Sequence, residues 1–430
     1  MEPWLAAHLP VLDLALDAVR AVQRAAGRAL ADRPGAPPAP DPARVAAAFS
    51  SDRLLAVDGR PVEGFAPLSG FFRTADGWVR THANYPHHRT RLTALVGLPD
   101  DVGRDAFAQR LTDLSAHGLE EDAAARGAVV VRVRSEQEWR GTAQGRAAAA
   151  GPLVPVTVAG APDPARTRAR RARGGDGPLG GVRVLDLTRV IAGPVATRTL
   201  ALLGADVLRV DPPEPAEIAW QHLDTGQGKR STLLDLRTPS GLGTAQRLLD
   251  TADVLVTGYR PGAVEALGLR VPDGVVTGRV SAWGTAGPWA GRRGYDSVVQ
   301  AATGVALLEG RDGAPGALPA QALDHASGYL LAAGVVDALT LRDGPGGPGG
   351  SDGDGRGRAV SVSLARTAAW LLDLPGRDPG HPPAAPPSAG EATTVTHDGV
   401  RTARPALPGH EDHPHPAHPW GTDAPAWLPG

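Results

Sequence analysis

The chain has 430 residues, with 44 basic and 46 acidic side chains, a net charge of −2 and a pI near 6.7. Near-neutrality leaves no electrostatic footprint for nucleic acid, and the lack of any cysteine excludes a disulfide framework and a thiolate metal site. The length predicts two or three domains with ample chain for a core.

Residues 11–31 carry apolar positions at Leu12, Leu16, Val19, Val22, Ala26 and Leu30, a helical stripe. Asp13 and Asp17 interrupt that run and no basic leader precedes it, so a signal peptide is not expected. No uncharged run approaches the length of a membrane span, so a cytoplasmic protein is expected. A Pro-rich link from Pro34 to Pro42 reads as extended. Between Phe65 and Val133 the pattern predicts a small α+β domain. It opens with a hairpin, Phe71–Thr74 and Trp78–Arg80, around Ala75-Asp76-Gly77, with Asp-Gly turn chemistry. Helices from about Pro86 to Val96 and Arg104 to Ser115 follow, then a strand from Ala128 to Val133. Pro162 to Gly177 reads as a linker whose arginines (Arg166, Arg168, Arg170, Arg171, Arg173) form a solvated face.

The stretch from Gly177 to Asp211 is the most informative. Val182, Val184, Leu185 and Leu187 make an apolar run too short for a helix and suited to a buried parallel strand. Ala192-Gly193-Pro194 breaks it, and Pro194 suits a first helical turn because its missing N–H would be unpaired there anyway. That helix runs to Gly204, and Ala205 to Val210 reads as a second strand. The crossover brings the helix N-terminus and the strand's carboxyl end to one edge, where open α/β sheets hold anionic ligands. No GxGxxG is present, so the dinucleotide fingerprint fails. Ala326 to Leu339 predicts a buried, Ala-rich helix, and Ala359 to Ser363 a strand beyond a flexible tip at Gly344–Gly357. Beyond Pro375 a Pro-rich tail is expected to wrap along the surface. His410, His413, His415 and His418 alternate there with prolines, which cannot hold a metal geometry unaided, so no metal site is expected. The predicted fold class is α/β. A doubly wound, Rossmann-like parallel sheet forms the large domain (178–375), beside a smaller α+β domain (46–160). An N-terminal helix and link (1–45), a second link (161–177) and a tail (376–430) complete the plan.

Five segments occur in one order: LDLTRVIAGPVATRTLALLGADVLRVDPP, GQGKRSTLLDLRTPSG, ADVLVTGYRPGAVEALGL, SAWGTAGPWAGRRGYDSVVQAATG and GRGRAVSVSLA. In series they resemble the class III CoA-transferases, the group of formyl-CoA transferase, carnitine CoA-transferase and the α-methylacyl-CoA racemases. The likeness covers roughly residues 178–370. TADGWVRTHANYPHHRTRLTALVGLP and RGAVVVRVRSEQEW resemble the family's small domain, which here precedes the large one, as in a circular permutation. The resemblance implies coenzyme A thioesters as substrates, no permanently bound cofactor, carboxylic acids as acceptors and a homodimer of interlocked chains.

Asp324 has two readings. From the residues alone it is a helix N-cap; by resemblance it is the catalytic aspartate, whose carboxylate attacks a thioester and divides acyl exchange into easier steps. For coenzyme A, Ile191 and Ala192 match the loop after the first strand. Leu234, Asp235, Leu236 and Arg237 match the adenine-lining segment, and Gly258, Tyr259 and Arg260 the next turn. Lys229, the only lysine, and Arg230 suit either phosphate contact or solvent. The racemase branch has a histidine where Tyr295 stands, and a tyrosine is a poor proton abstractor at neutral pH, which favours transfer over racemisation. His325 is a substitute base or an exposed or capping residue. Two departures from the family, Ala266 in place of an arginine and a shortened stretch between Leu269 and Trp283, keep a catalytically degenerate CoA-binding paralogue as a further alternative.

Overall fold

The computed structural model describes residues 4–30, 38–62, 64–259, 262–344, 353–385 and 388–429. The link at 34–37, the tip at 345–352 and Arg260, each singled out in the sequence, lie outside the described residues.

The principal sheet contains β1 (Val156–Pro162), β2 (Arg183–Leu187), β3 (Asp206–Asp211), β4 (Arg230–Leu233), β5 (Val254–Thr257), β6 (Val276–Ser281) and β7 (Arg356–Ser363). Their order is β4-β3-β2-β5-β6-β7-β1. All neighbours are parallel except β1, which closes one edge antiparallel to β7. From β2 onward this is the doubly wound order, with the winding reversing between β2 and β5, where such sheets bind ligands. Successive side chains point to opposite faces. Val184, Val207 and Val254 thus join a core with helices Ala192–Leu202 and Ala322–Asp343, while Leu185, Leu208 and Leu255 meet helix Pro239–Asp250 on the other side.

Helix Val11–Ala29 lies along helix Ala322–Asp343. Its buried face holds Leu16, Val19 and Val22 of the predicted stripe together with Leu14, Ala15, Ala18 and Ala25, and Leu12 and Ala26 pack at its border. The alanines on that face allow close approach to an Ala-rich partner. The same closeness appears at Gly328, where a Cβ would stand 2.6 Å from the Ala192 carbonyl oxygen. Only glycine lets the two helices meet there.

A three-stranded antiparallel sheet, Gly70–Thr74, Gly77–Thr81 and Val130–Arg132, packs with helices Pro86–Leu95, Arg104–Leu111 and Ala116–Arg126 around Phe72, Val79, Leu92, Phe107 and Leu119. The hairpin turn is Ala75-Asp76 rather than Asp-Gly, because Thr74 pairs directly with Gly77. Asp76 instead accepts the Ala116 N–H at 2.7 Å. Helix Ala116–Arg126, capped by Ser115, was not anticipated.

The expected linker is helix Pro164–Arg173, capped by Asp163; Arg168 and Arg171 are exposed, but Arg166, Arg170 and Arg173 are not part of a solvated face. Arg166 is buried and donates to the carbonyls of Asp250 and Ala252, Arg170 pairs with Asp343 at 2.8 Å, and Arg173 pairs with Asp253. The tail returns as a hairpin of strands Thr394–His397 and Val400–Ala403; the second pairs with Ala56–Val57, which pairs in turn with Arg60–Pro61. It then covers the β4 edge, where the Trp420 indole donates to Asp211 at 3.0 Å and Asp423 accepts the Ser231 N–H at 2.7 Å. An exposed strand edge is a pairing hazard, and this cover removes it.

Candidate active site

A cavity of about 380 Å³ opens at the carboxyl ends of β2, β5 and β6, at the reversal of the sheet winding. Its first wall is the turn after β2. Val190 there has a φ of 72°, a left-handed conformation that β-branched residues avoid, so the turn is held in strain by its surroundings. Gly193 follows because a Cβ would stand 2.4 Å from Thr188 Cβ. Helix Ala192–Leu202 can therefore start against the strand end, with Ile191, Ala192 and Gly193 in the cavity wall. Its unpaired N–H groups and dipole favour an anion at that end.

Beneath this turn Asp186 is fully buried. It accepts from Thr188 N at 2.9 Å, from Thr197 Oγ1 at 2.6 Å and from Lys229 Nζ at 3.2 Å. Lys229 thus neither meets solvent nor reaches a phosphate; burial lowers its pKa to about 8 despite the Asp186 charge. Arg230 is committed to Asp206 at 2.7 Å and to the Ala426 carbonyl.

Asp324 lines the cavity and is 7% exposed. It is the third residue of helix Ala322–Asp343 and not its cap, since the helix begins earlier than the sequence suggests. The capping belongs to Asp296, whose Oδ2 accepts the Asp324 N–H at 2.9 Å and which also takes the Leu323 N–H. Gln300 holds Asp296 in place through its amide, while its Oε1 accepts the Leu318 N–H at 2.9 Å. Burial, and then the Asp296 charge, push the Asp324 carboxyl well above the usual carboxylate range.

Ile191, Ala192, Gly258 and Tyr259 share this cavity with Asp324. Leu234, Asp235, Leu236 and Arg237 do not; they follow β4, where Asp235 pairs with Arg237 at 2.9 Å and the two leucines pack on the core opposite the Ala192–Leu202 helix. His325 is neither exposed nor a cap. It is buried against Phe49 with ring centroids 5.3 Å apart, and burial lowers its pKa to about 3.

Other wall residues escaped the sequence reading. Arg189 lies over the Tyr85 ring at 5.3 Å and pairs with Glu217 at 3.5 Å. Burial opposes ionisation of Glu217, but Arg209 and Arg189 outweigh it and hold the pKa at about 2. Arg292, paired with Glu121 at 3.0 Å, and Arg293 stand in the same cavity wall, so it carries three guanidinium groups. His87 and His88 line the cavity from the three-stranded unit, and His82 stacks on Tyr295 at 3.7 Å and 4°. Burial and neighbouring histidines keep His82 and His88 neutral. The Tyr-Pro-His-His run at 85–88 was the available signal, but its proximity to Asp324 is purely spatial.

Most of the cavity wall, Asp324 included, falls within residues 179–397, which match the family model of CoA-transferase family III, and the chain belongs to that family. It is 38% identical over 186 residues to a probable fatty acyl-CoA transferase of Mycobacterium tuberculosis, covering 39% of this chain and 47% of that protein. With the succinyl-CoA–L-malate CoA-transferase alpha subunit of Chloroflexus aurantiacus it shares 29% identity over 219 residues, covering 46% and 49%. With the human succinyl-CoA:glutarate CoA-transferase it shares 31% over 179 residues, covering 37% and 41%. The matched part therefore spans about half the length of these relatives or less. A crystal structure of a hypothetical protein from M. tuberculosis aligns with a TM-score of 0.41 at 35% identity, over 46% of this chain and 57% of that one.

Proposed function

We propose that the chain transfers coenzyme A from an acyl-CoA to a carboxylic acid, with Asp324 as the covalent nucleophile. One observation carries the reading: Asp324 is freed from capping and faces a cavity at the sheet's reversal point, beside a helix N-terminus and three guanidinium groups. The Asp324 carboxylate attacks the thioester carbonyl and expels CoA thiolate, leaving an acyl–aspartyl anhydride. The thiolate attacks the aspartyl carbonyl of that anhydride, releasing the donor acid and forming aspartyl-CoA. The acceptor carboxylate attacks this thioester, again expelling thiolate, which takes the acceptor acyl group and restores Asp324. Helix N–H groups near Ile191–Gly193 are placed to stabilise oxyanions, and the arginines suit a phosphorylated substrate. Ile191, Ala192, Gly258 and Tyr259 form the coenzyme A wall in this reading; Leu234, Asp235, Leu236, Arg237 and Arg260 are further coenzyme A contacts only by the family likeness.

Exchange between an acyl-CoA and the matching ¹³C-labelled acid tests this. Asp324→Asn should lower the rate by several orders of magnitude, as loss of a nucleophile does elsewhere; near-normal exchange would refute the assignment. A second reading, racemisation at the α-carbon, draws on His82, a neutral histidine in the same recess as Asp324. It predicts deuterium uptake by a 2-methylacyl-CoA without any acceptor acid. The reading extends to a cytoplasmic homodimer; light scattering showing a monomer at micromolar concentration would remove the interlocked arrangement.

A further inference from the structure

Behind the large cavity lies a recess of about 20 Å³, and Val190, Ile191, Tyr295 and Asp324 line both spaces. A thioester carbonyl at Asp324 needs room on two sides. Its sulfur leads to the long coenzyme A arm, which only the larger space accommodates, so the acyl carbons fall in the recess. That volume holds one or two groups of water size, which limits the acyl group to two or three carbons.

The far wall is polar in an unusual way. Asp52 Oδ1, His82 Nδ1 and Gln221 Oε1 are each buried without a hydrogen-bond partner among the described residues. Asn84, by contrast, is committed to Ala66, Ser69 and the Gly64 carbonyl. Buried polar groups are normally paired, so three side chains that line one space, each with an unpaired atom, point to a ligand group that donates and accepts. A hydroxyl does both. Among the described residues no lysine or arginine lines the recess; Arg80, nearby, lies over the Phe65 and Phe71 rings at 5.4 and 4.9 Å instead. A second carboxylate on the acyl group would therefore face Asp52 and Asp324 with no cation to balance it.

We propose that this recess is the acyl subsite and that it selects a short hydroxylated acyl group, of the glycolyl or lactyl kind, over dicarboxylic and long-chain acyl groups. The proposal rests on the coenzyme A transfer reading. Asp52, His82 and Gln221 then act as specificity residues, two of them from the part of the chain that precedes the family match.

The test compares kcat/KM of the full chain with lactyl-CoA, propionyl-CoA, succinyl-CoA and palmitoyl-CoA as donors to one acceptor acid. Lactyl-CoA should exceed propionyl-CoA at least tenfold and succinyl-CoA by about a hundredfold. Asp52→Leu and Gln221→Leu should each bring the lactyl-to-propionyl ratio towards one; Asp52→Asn, which keeps the shape and hydrogen bonding, should retain most of it. Equal rates with lactyl and propionyl donors, or a preference for succinyl-CoA, would overturn the proposal. Calorimetry with the 2-hydroxypropyl and propyl thioethers of coenzyme A separates the two readings. Discrimination between the thioethers without any turnover counts for the recess and against transfer; equal affinity overturns the recess assignment whatever the turnover.

Discussion

Asp296 offers the sharpest lever on this site, because its carboxylate both caps the helix that carries Asp324 and repels the Asp324 charge. Asp296→Asn separates the two effects: its remaining oxygen can still accept the Asp324 N–H, at the loss of the Gln300 hydrogen bond, and it carries no charge. Two unit charges roughly 5 Å apart at an effective dielectric of about 20 repel by about 3 kcal/mol, about two pK units. The nucleophile is the ionised form of Asp324, and its raised proton affinity means that form is gained as pH rises. Removing the Asp296 charge lowers that affinity, so the acid limb of the kcat/KM profile should move to lower pH by one to two units. Linkage gives the matching sign for stability. A carboxyl whose folded pKa is raised stabilises the fold below its unfolded value and loses that contribution as pH rises through the folded value. Relief of the repulsion at pH 8 offsets the lost Gln300 hydrogen bond, worth about 1 kcal/mol, so the variant's Tm there should stay within a few degrees of the wild type. Profiles from pH 4 to 9, with thermal unfolding at each end, provide the assay. An unshifted acid limb in a folded variant would refute the reasoning, because the titrating group would then not sense Asp296.

Two further predictions concern the buried charges around the site. Burial raises the Asp224 pKa to about 6 although Ser51 donates to it at 2.8 Å, so its ionisation costs stability as pH climbs from about 4 to 6. Asp224→Asn should leave stability at pH 4 unchanged and increase it at pH 8 by about 3 kcal/mol in denaturant titrations; an equal change at both pH values would contradict this. Lys229→Met keeps the length but leaves Asp186 buried with hydroxyl and amide partners only. Breaking such a pair costs about 3–5 kcal/mol; a loss under about 1 kcal/mol would show that Lys229 and Asp186 are not one unit.

The doubly wound order and the turn after β2 were legible because apolar runs, Pro194 and the glycine breaks act locally. Helix Pro164–Arg173 was not, since a run of arginines reads as solvated until Asp250, Ala252, Asp253 and Asp343 supply acceptors from distant segments. Asp324 was found, but its capping reading failed because the cap comes from Asp296, 28 residues earlier. His82, His88 and Arg189 join the site through tertiary packing alone, and no spacing rule relates them to Asp324. Lys229 reads as either a phosphate contact or a solvated residue, because adjacent basic residues carry no sign of the buried acid that claims one of them.

The most direct test of the central claim is the mass of the peptide containing Leu323-Asp324-His325 after turnover with an acyl-CoA and quenching in hydroxylamine. The covalent mechanism predicts a hydroxamate on Asp324, absent without acyl-CoA and absent in Asp324→Asn. An unmodified peptide from enzyme that is turning over would show that Asp324 never carries the transferring group.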